Sequence, residues 1–380
     1  MKITVAIDSF KGSLPSLLSG EAVKSAAERV FEDAEVFVRP LADGGEGTVD
    51  AIISANAGEL ISSYVTGPLG KQIKAGYGIV KESNTAVIEM SSAAGITLLK
   101  KEELNPYITT TYGVGELIRD AISKNARRFV IGIGGSATND GGVGMLKALG
   151  FEFLDENGGK IENGAIGLSH LAKINCTNAL PELSECEFLV ACDVKNTLCG
   201  PNGASAVYGP QKGATPEMVK NMDAWLQNYA NLTKSVLPGA DETSEGTGAA
   251  GGMGFALMAY LGAKLTSGIE LVMRETALEE YIKKSDLVVT GEGRLDGQSA
   301  MGKAPVGVAR LAKKYSKPVI AFSGCVTDDA TLCNENGIDA FFPILRAPVS
   351  LSEAMDIENA KKNLSAAAEQ ALRLIKALTK

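Results

Sequence analysis

Asp43, Asp140, Asp193 and Asp296 each lie just past an apolar run or inside a glycine-rich stretch. Singly, each reads as a turn former or a helix cap, the commonest use of Asp at such places. Together with the loop cations Lys11, Lys195, Lys212, Arg294 and Lys303 they form the equipment of phosphoryl transfer. That chemistry needs Mg²⁺ on oxygen ligands, a carboxylate to orient or deprotonate the attacking hydroxyl, and cations on the phosphoryl group. The stretch Gly132–Ile133–Gly134–Gly135–Ser136–Ala137–Thr138–Asn139–Asp140–Gly141–Gly142 follows a β-branched run and precedes a helical pattern at Val143–Leu149. Glycine lets the backbone come close to a ligand, and amides at a helix start favour anions, so a phosphate-bearing ligand is expected there.

A further glycine-rich stretch, Thr290–Gly291–Glu292–Gly293–Arg294–Leu295–Asp296–Gly297–Gln298–Ser299–Ala300–Met301–Gly302–Lys303, stands between a strand and a helix with Pro305 in its first turn. Gly297 to Lys303 fits G-x-x-x-x-G-K, but Ala304 replaces the hydroxyl that a P-loop offers to Mg²⁺. A non-standard phosphate loop with Lys303 near an anion is expected, the bland alternative being a solvated loop. Gly132-x-Gly134-x-x-Ala137 also fits a dinucleotide fingerprint, with Asp155 at the spacing of a ribose-binding acid. Asn139–Asp140–Gly141–Gly142 interrupts the helix that such a fingerprint must open. His170 is the single histidine, read as a surface residue, so a Ser–His–Asp triad is not expected. The six cysteines include no CxxC pair and read as reduced packing residues, and Met253, Met258 and Met273 as core fillers.

The elements that must position these groups follow a strand–helix rhythm at both ends of the chain. Ile3–Ile7 reads as a strand, Gly20–Phe31 as a helix, Val36–Val38 as a strand and Thr48–Ala55 as a helix. From Asp286 the same rhythm returns, with strands at Leu287–Val289, Val319–Phe322 and Phe341–Pro343 and helices at Pro305–Tyr315 and Ser352–Leu378. The middle differs: a turn at Gly67–Gly70, hairpin strands at Ile73–Val80 and Thr85–Met90, a helix at Gly113–Lys124, strands at Phe151–Leu154 and Phe188–Ala191, and helices over 216–236 and 252–262. The fold class expected is α/β in two domains. A discontinuous Rossmann-like parallel-sheet domain (1–65 plus 286–380) carries an inserted second α/β domain (66–285), with the active-site cleft between them.

Composition bounds the reading. At 380 residues two domains are the default. A hydrophobic share of 45% and a charged share of 22% are ordinary for a globular protein, and the 43 glycines cluster in loops. A net charge of −8 without a basic run, and 6% aromatics, argue against nucleic acid as a partner. No apolar run reaches membrane-spanning length and the chain opens directly on a strand, so no membrane partner, no signal peptide and a cytoplasmic location are expected.

At these residues the chain resembles the bacterial glycerate kinases, the type that includes the glycerate 2-kinases. The resemblance rests on Asp8-Ser-Phe-Lys-Gly-Ser13, Leu41-Ala-Asp-Gly-Gly-Glu-Gly-Thr48, Gly132–Gly142, Asp193-Val-Lys-Asn-Thr-Leu-Cys-Gly-Pro201 and Tyr208-Gly-Pro-Gln-Lys-Gly213. It continues through Gly248-Ala-Ala-Gly-Gly-Met-Gly254 and Thr290–Asp296 with Gln298, Gly302 and Lys303. It implies ATP- and Mg²⁺-dependent phosphorylation of D-glycerate, usually to 2-phosphoglycerate. Among residues it implies Asp296 or Asp193 on the acceptor hydroxyl, with Arg294 and Lys11 completing the catalytic set. Asp8, Ser9, Asp43, Glu292, Gln298 and Lys303 would bind substrate. Gly134, Gly135, Ser136, Thr138 and Asn139 would meet the nucleotide, and Asp140 or Asp43 the metal. A monomer or small homo-oligomer is expected. The alternatives are 3-phosphoglycerate as product, an NAD-dependent oxidoreductase, or a non-catalytic carboxylate-binding protein.

Overall fold

Uninterrupted runs of Val, Ile, Leu and Phe become strands buried on both faces, which is what a parallel sheet covered by helices requires. The computed structural model describes residues 1–379. It groups them into two units by contact, one of residues 1–43, 50–56 and 269–379, the other of 44–49 and 57–268.

The first unit is built on a five-stranded sheet in the order Ala340–Pro343, Val319–Val326, Leu287–Leu295, Lys2–Ile7, Glu35–Val38. All its pairings are parallel, in register Val5 with Val289 and Val289 with Ile320. Helices Ser16–Val30 and Ile357–Leu378 pack against each other. Alanines make that approach possible: Ala22, Ala26 and Ala27 on one helix and Ala360, Ala368 and Ala371 on the other are buried with Leu364, Ile3, Val5 and Ile7. Spacings of three or four residues, as from Ala22 to Ala26 and from Ala368 to Ala371, put such residues on one helix face. The helix Ala304–Lys313, with Val306, Val308, Ala309 and Ala312 buried, also packs on the sheet. Along this sheet the first strand has its sequence neighbour Glu35–Val38 on one side and the distant Leu287–Leu295 on the other. Connections leave that point in opposite directions, the topological switch point where open α/β sheets place ligands.

The second unit holds a six-stranded sheet in the order Lys264–Thr266, Glu187–Ala191, Arg128–Gly132, Thr85–Glu89, Gln72–Val80, Glu59–Thr66. The first four are mutually parallel, and Gln72–Val80 runs antiparallel to both its neighbours, Thr85–Glu89 and Glu59–Thr66. Phe129 and Phe188 stack at 4.8 Å between neighbouring central strands. Among the described residues no helix is long and apolar enough to cross a membrane.

Three elements differ from the sequence reading. The strand from Leu287 does not stop at Val289 but runs through Thr290–Leu295, because Val319–Val326 pairs with it out to Leu295. The glycines that suggested a loop are tolerated within a paired strand. The helix expected over 352–378 is broken at Asp356, which is extended and accepts the Asn359 amide at 2.9 Å as an N-cap. The contact units change over at 43/44, 49/50, 56/57 and 268/269, where the sequence rhythm suggests 65/66 and 285/286. Glu59–Thr66 is hydrogen-bonded along its length to Gln72–Val80, and residues 269–285 group with the first unit.

Candidate active site

The carboxyl ends of Lys2–Ile7 and Leu287–Leu295 open onto a pocket of about 620 Å³ within the first unit. Side chains alternate along a strand, so Glu292 and Arg294 share one face of the strand end. Gly293 between them lets the loop after the first strand lie against it: a Cβ there would sit 3.3 Å from Phe10 Cα. That loop is closed by Phe10 N donating to Leu14 O at 2.8 Å and Ser13 N to Phe10 O at 2.7 Å, and it presents Asp8, Ser9 and Lys11. Asp43, Asp296 and Lys303 complete the charged lining.

Opposite charges are paired but not cancelled. Lys11 Nζ meets Asp43 Oδ2 at 2.8 Å and Arg294 Nε meets Asp296 Oδ2 at 3.3 Å. Asp296 also accepts the Gln298 and Ser299 amides through Oδ1, capping a short helix that starts at Gly297. Lys303 Nζ donates to Gln298 Oε1 at 3.2 Å, and Glu292 accepts from the Ser299 hydroxyl. Burial and then the charge of Asp43 push the Asp8 carboxyl up to about 7, against the Ser9 amide and Lys11. Burial likewise raises Glu292, opposed by Ser299 and Lys303. Burial would lower Lys11, but its bond to Asp43 and the charges of Asp43, Asp8 and Glu292 outweigh it and the net shift is upward. Three carboxylates at close quarters, two of them held toward neutrality, are a site that favours an added cation.

The structure thus brings together Asp8, Ser9, Lys11, Asp43, Glu292, Arg294, Asp296 and Lys303, with Gln298 beside them through Lys303. The remaining expected site residues belong to the second unit. Asp193 is exposed and accepts the Gly268 amide at 3.0 Å. Gly134 and Gly135 are exposed, whereas Ser136 is buried and Thr138 and Asn139 are wholly so.

Asp140, expected near the metal, lies inside the loop. It is 1% exposed, and its carboxylate accepts Thr111 N at 2.8 Å, Thr111 Oγ1 at 2.9 Å, Gly142 N at 3.2 Å and Gly144 N at 3.3 Å. The amides expected to hold an anionic ligand are satisfied by the chain's own carboxylate. Asp140 therefore anchors a loop. Its neighbour Lys212, read as a loop cation for phosphate, is 1% exposed and donates to Ser136 Oγ at 2.9 Å and Thr138 O at 2.6 Å. No local signal distinguished it: its motif looks solvent-facing, and only packing of distant segments buries it. Gly251 shows how tight that packing is, since a Cβ there would lie 2.1 Å from Thr138 O, at φ +69°. Asp155 folds its own turn, its Oδ1 accepting Asn157 N and Gly159 N at 2.8 Å. His170 is exposed and all six cysteines are free.

The comparisons with known proteins agree over the whole length. A sequence model of the glycerate kinase family matches residues 3–376. The chain is 47% identical over 371 residues to the glycerate 2-kinase of Escherichia coli, covering 96% of this chain and 97% of that protein. It is 45% identical over 375 residues to the glycerate kinase of Haemophilus influenzae, covering 99% of each. A crystal structure of a candidate glycerate kinase 2 from Salmonella typhimurium LT2 superposes with a TM-score of 0.92 at 44% identity, covering 100% of this chain and 99% of that one. With a family match spanning nearly every residue and relatives this similar end to end, the chain belongs to the glycerate kinase family.

Proposed function

We propose that the pocket at the ends of Lys2–Ile7 and Leu287–Leu295 is where this glycerate kinase transfers the γ-phosphoryl group of ATP to D-glycerate, giving 2-phosphoglycerate and ADP. One observation carries the assignment: Lys11, Arg294 and Lys303 converge with Asp8, Asp43, Glu292 and Asp296 on one pocket at the switch point. Phosphoryl transfer is governed by positioning and charge neutralisation, and this is that set of groups. Lys11 and Arg294 bind the acid's carboxylate, and Lys303 with Arg294 faces phosphate oxygens. Asp296, fixed by its helix cap and by Arg294, orients the acceptor hydroxyl. Asp8, buried at the end of the first strand beside Lys11, takes the hydroxyl proton.

Mg²⁺ fits the acidic side of this pocket, where Asp43 and Glu292 would hold it and Asp140 would not. Among the described residues no three His, Cys, Asp or Glu are placed to hold a metal ion by themselves. Mg²⁺ on a nucleotide commonly takes only one or two carboxylates, phosphates and water supplying the rest. When bound it neutralises charge on the phosphates. The test is ADP release dependent on ATP, Mg²⁺ and D-glycerate, with the product read through enolase. Signal without phosphoglycerate mutase is expected. Signal only with the mutase would move attack to the 3-hydroxyl, and no ADP from the folded protein would remove the activity.

A further inference from the structure

Phosphoryl transfer to a small polar acid leaves much of the pocket lining unused. Phe10 and Ile344 are buried in it, while Leu345, Val349, Leu351 and Met355 line it at exposures between 37% and 78%. Large side chains left in solvent around one pocket mark a ligand surface. The wall is also pinned. Ile344 N donates to Ser323 O at 2.9 Å, Arg346 Nε to Asn363 Oδ1 at 3.0 Å, and Ser350 caps the short helix Leu351–Met355. D-glycerate has no apolar surface to offer such a wall. The phosphoryl donor does: a nucleotide joins a polyanion to a flat aromatic base, and the pocket joins cations to an apolar wall.

The rival place for the nucleotide, the Gly132–Gly142 stretch, has directed most of its polar groups inward. The Ser136 hydroxyl accepts from Lys212, Thr138 and Asn139 are buried, and the amides at its helix start serve Asp140. Open parallel sheets bind nucleotides outside the carboxyl ends of their strands at the switch point, which is where this pocket lies. We infer that the adenine base of ATP packs on the apolar wall formed by Ile344–Met355, with its phosphates toward Arg294 and Lys303. This rests on the ATP-dependent activity proposed above.

The test uses Leu345→Asp and Leu351→Asp, both at solvent-exposed positions. ADP and inorganic pyrophosphate are titrated calorimetrically into each variant and the parent, and KM is measured for ATP and D-glycerate. In both variants the Kd for ADP and the KM for ATP rise by about tenfold or more, because a charge now faces the base. Pyrophosphate affinity and the KM for D-glycerate stay at the parent values. Unchanged ADP affinity in both variants overturns the inference, as does a rise confined to the KM for D-glycerate, which would give the wall to the acceptor. A parent protein that binds ADP, with that binding weakened in the variants, but turns over no ATP with D-glycerate, would sink the activity and leave the adenine site standing.

Discussion

Replacing Lys212 with Met should remove a specific pH dependence of stability. Burial lowers the Lys212 ammonium from 10.5 to about 7, against the opposing charge of Asp140. Asp140 is itself driven upward by burial, so the pair as a whole is held toward neutrality. The folded pKa lies below the unfolded one. Below about pH 7 both states carry the proton, and the folded protein bears the full cost of a buried cation. Between about 7 and 10.5 the unfolded chain holds a proton that the folded one has released, so stability rises with pH across that window. At about 1.4 kcal/mol per pH unit, tapering near 7 where the folded lysine is half protonated, the parent gains about 2 kcal/mol between pH 7 and 9 from this group. Trp225 is the only tryptophan and packs against Tyr107 at 5.2 Å, so its fluorescence follows urea unfolding of the same unit. Groups that titrate alike in both proteins cancel in the comparison. The parent should outgain Lys212→Met by about 2 kcal/mol on going from pH 7 to 9. Identical pH dependence in the two proteins would refute the reasoning, showing that Lys212 keeps its proton when folded.

Asp140→Ala should cost about 3–5 kcal/mol of stability, because it removes the acceptor of several buried amide and hydroxyl donors. Urea unfolding read at Trp225 checks it, and a fully stable variant that loses only its Mg²⁺ dependence would return Asp140 to the metal. Gly251→Ala should lose more than about 2 kcal/mol, since it combines a positive φ with a Cβ inside the contact distance of Thr138 O. An unchanged urea midpoint would count against it. Asp296→Asn keeps an N-cap acceptor and gives up only an ion pair to an exposed arginine, worth about 0–1 kcal/mol. Its kcat should nevertheless fall by about 10²–10⁴, and near-normal turnover would take Asp296 out of the catalytic set.

Much of the scaffold was legible because local chemistry agrees with the tertiary outcome. Thr48–Ala55 and Pro216–Val236 form over the residues their periodicity predicts. The hairpin of Gln72–Val80 and Thr85–Glu89 turns where Glu82, Ser83 and Asn84 break the apolar pattern, with Asn84 left-handed at φ 49°. Charged groups of the pocket were also legible: Asp8, Lys11, Asp43, Glu292, Arg294, Asp296 and Lys303 all stand where a strand ends or soon after. Illegible were the apolar wall, which reads as stray leucines in a polar segment, and the strand through Thr290–Leu295, whose glycines mimic a loop.

The sequence by itself determined the family, the α/β rhythm and the stock of carboxylates, cations and glycines, since these are properties of residue type and short spacing. Only the tertiary structure decided which of those groups meet. Asp43, Asp140, Asp193 and Asp296 look equivalent along the chain, yet Asp43 and Asp296 line one pocket, Asp193 tethers the Gly268 amide, and Asp140 is sealed inside a loop. Lys212 and Lys303 look equally suited to phosphate, yet one is buried and the other exposed. The reason is that burial and charge proximity are set by segments far apart in sequence, and those two quantities fix whether a polar group serves a ligand or the fold.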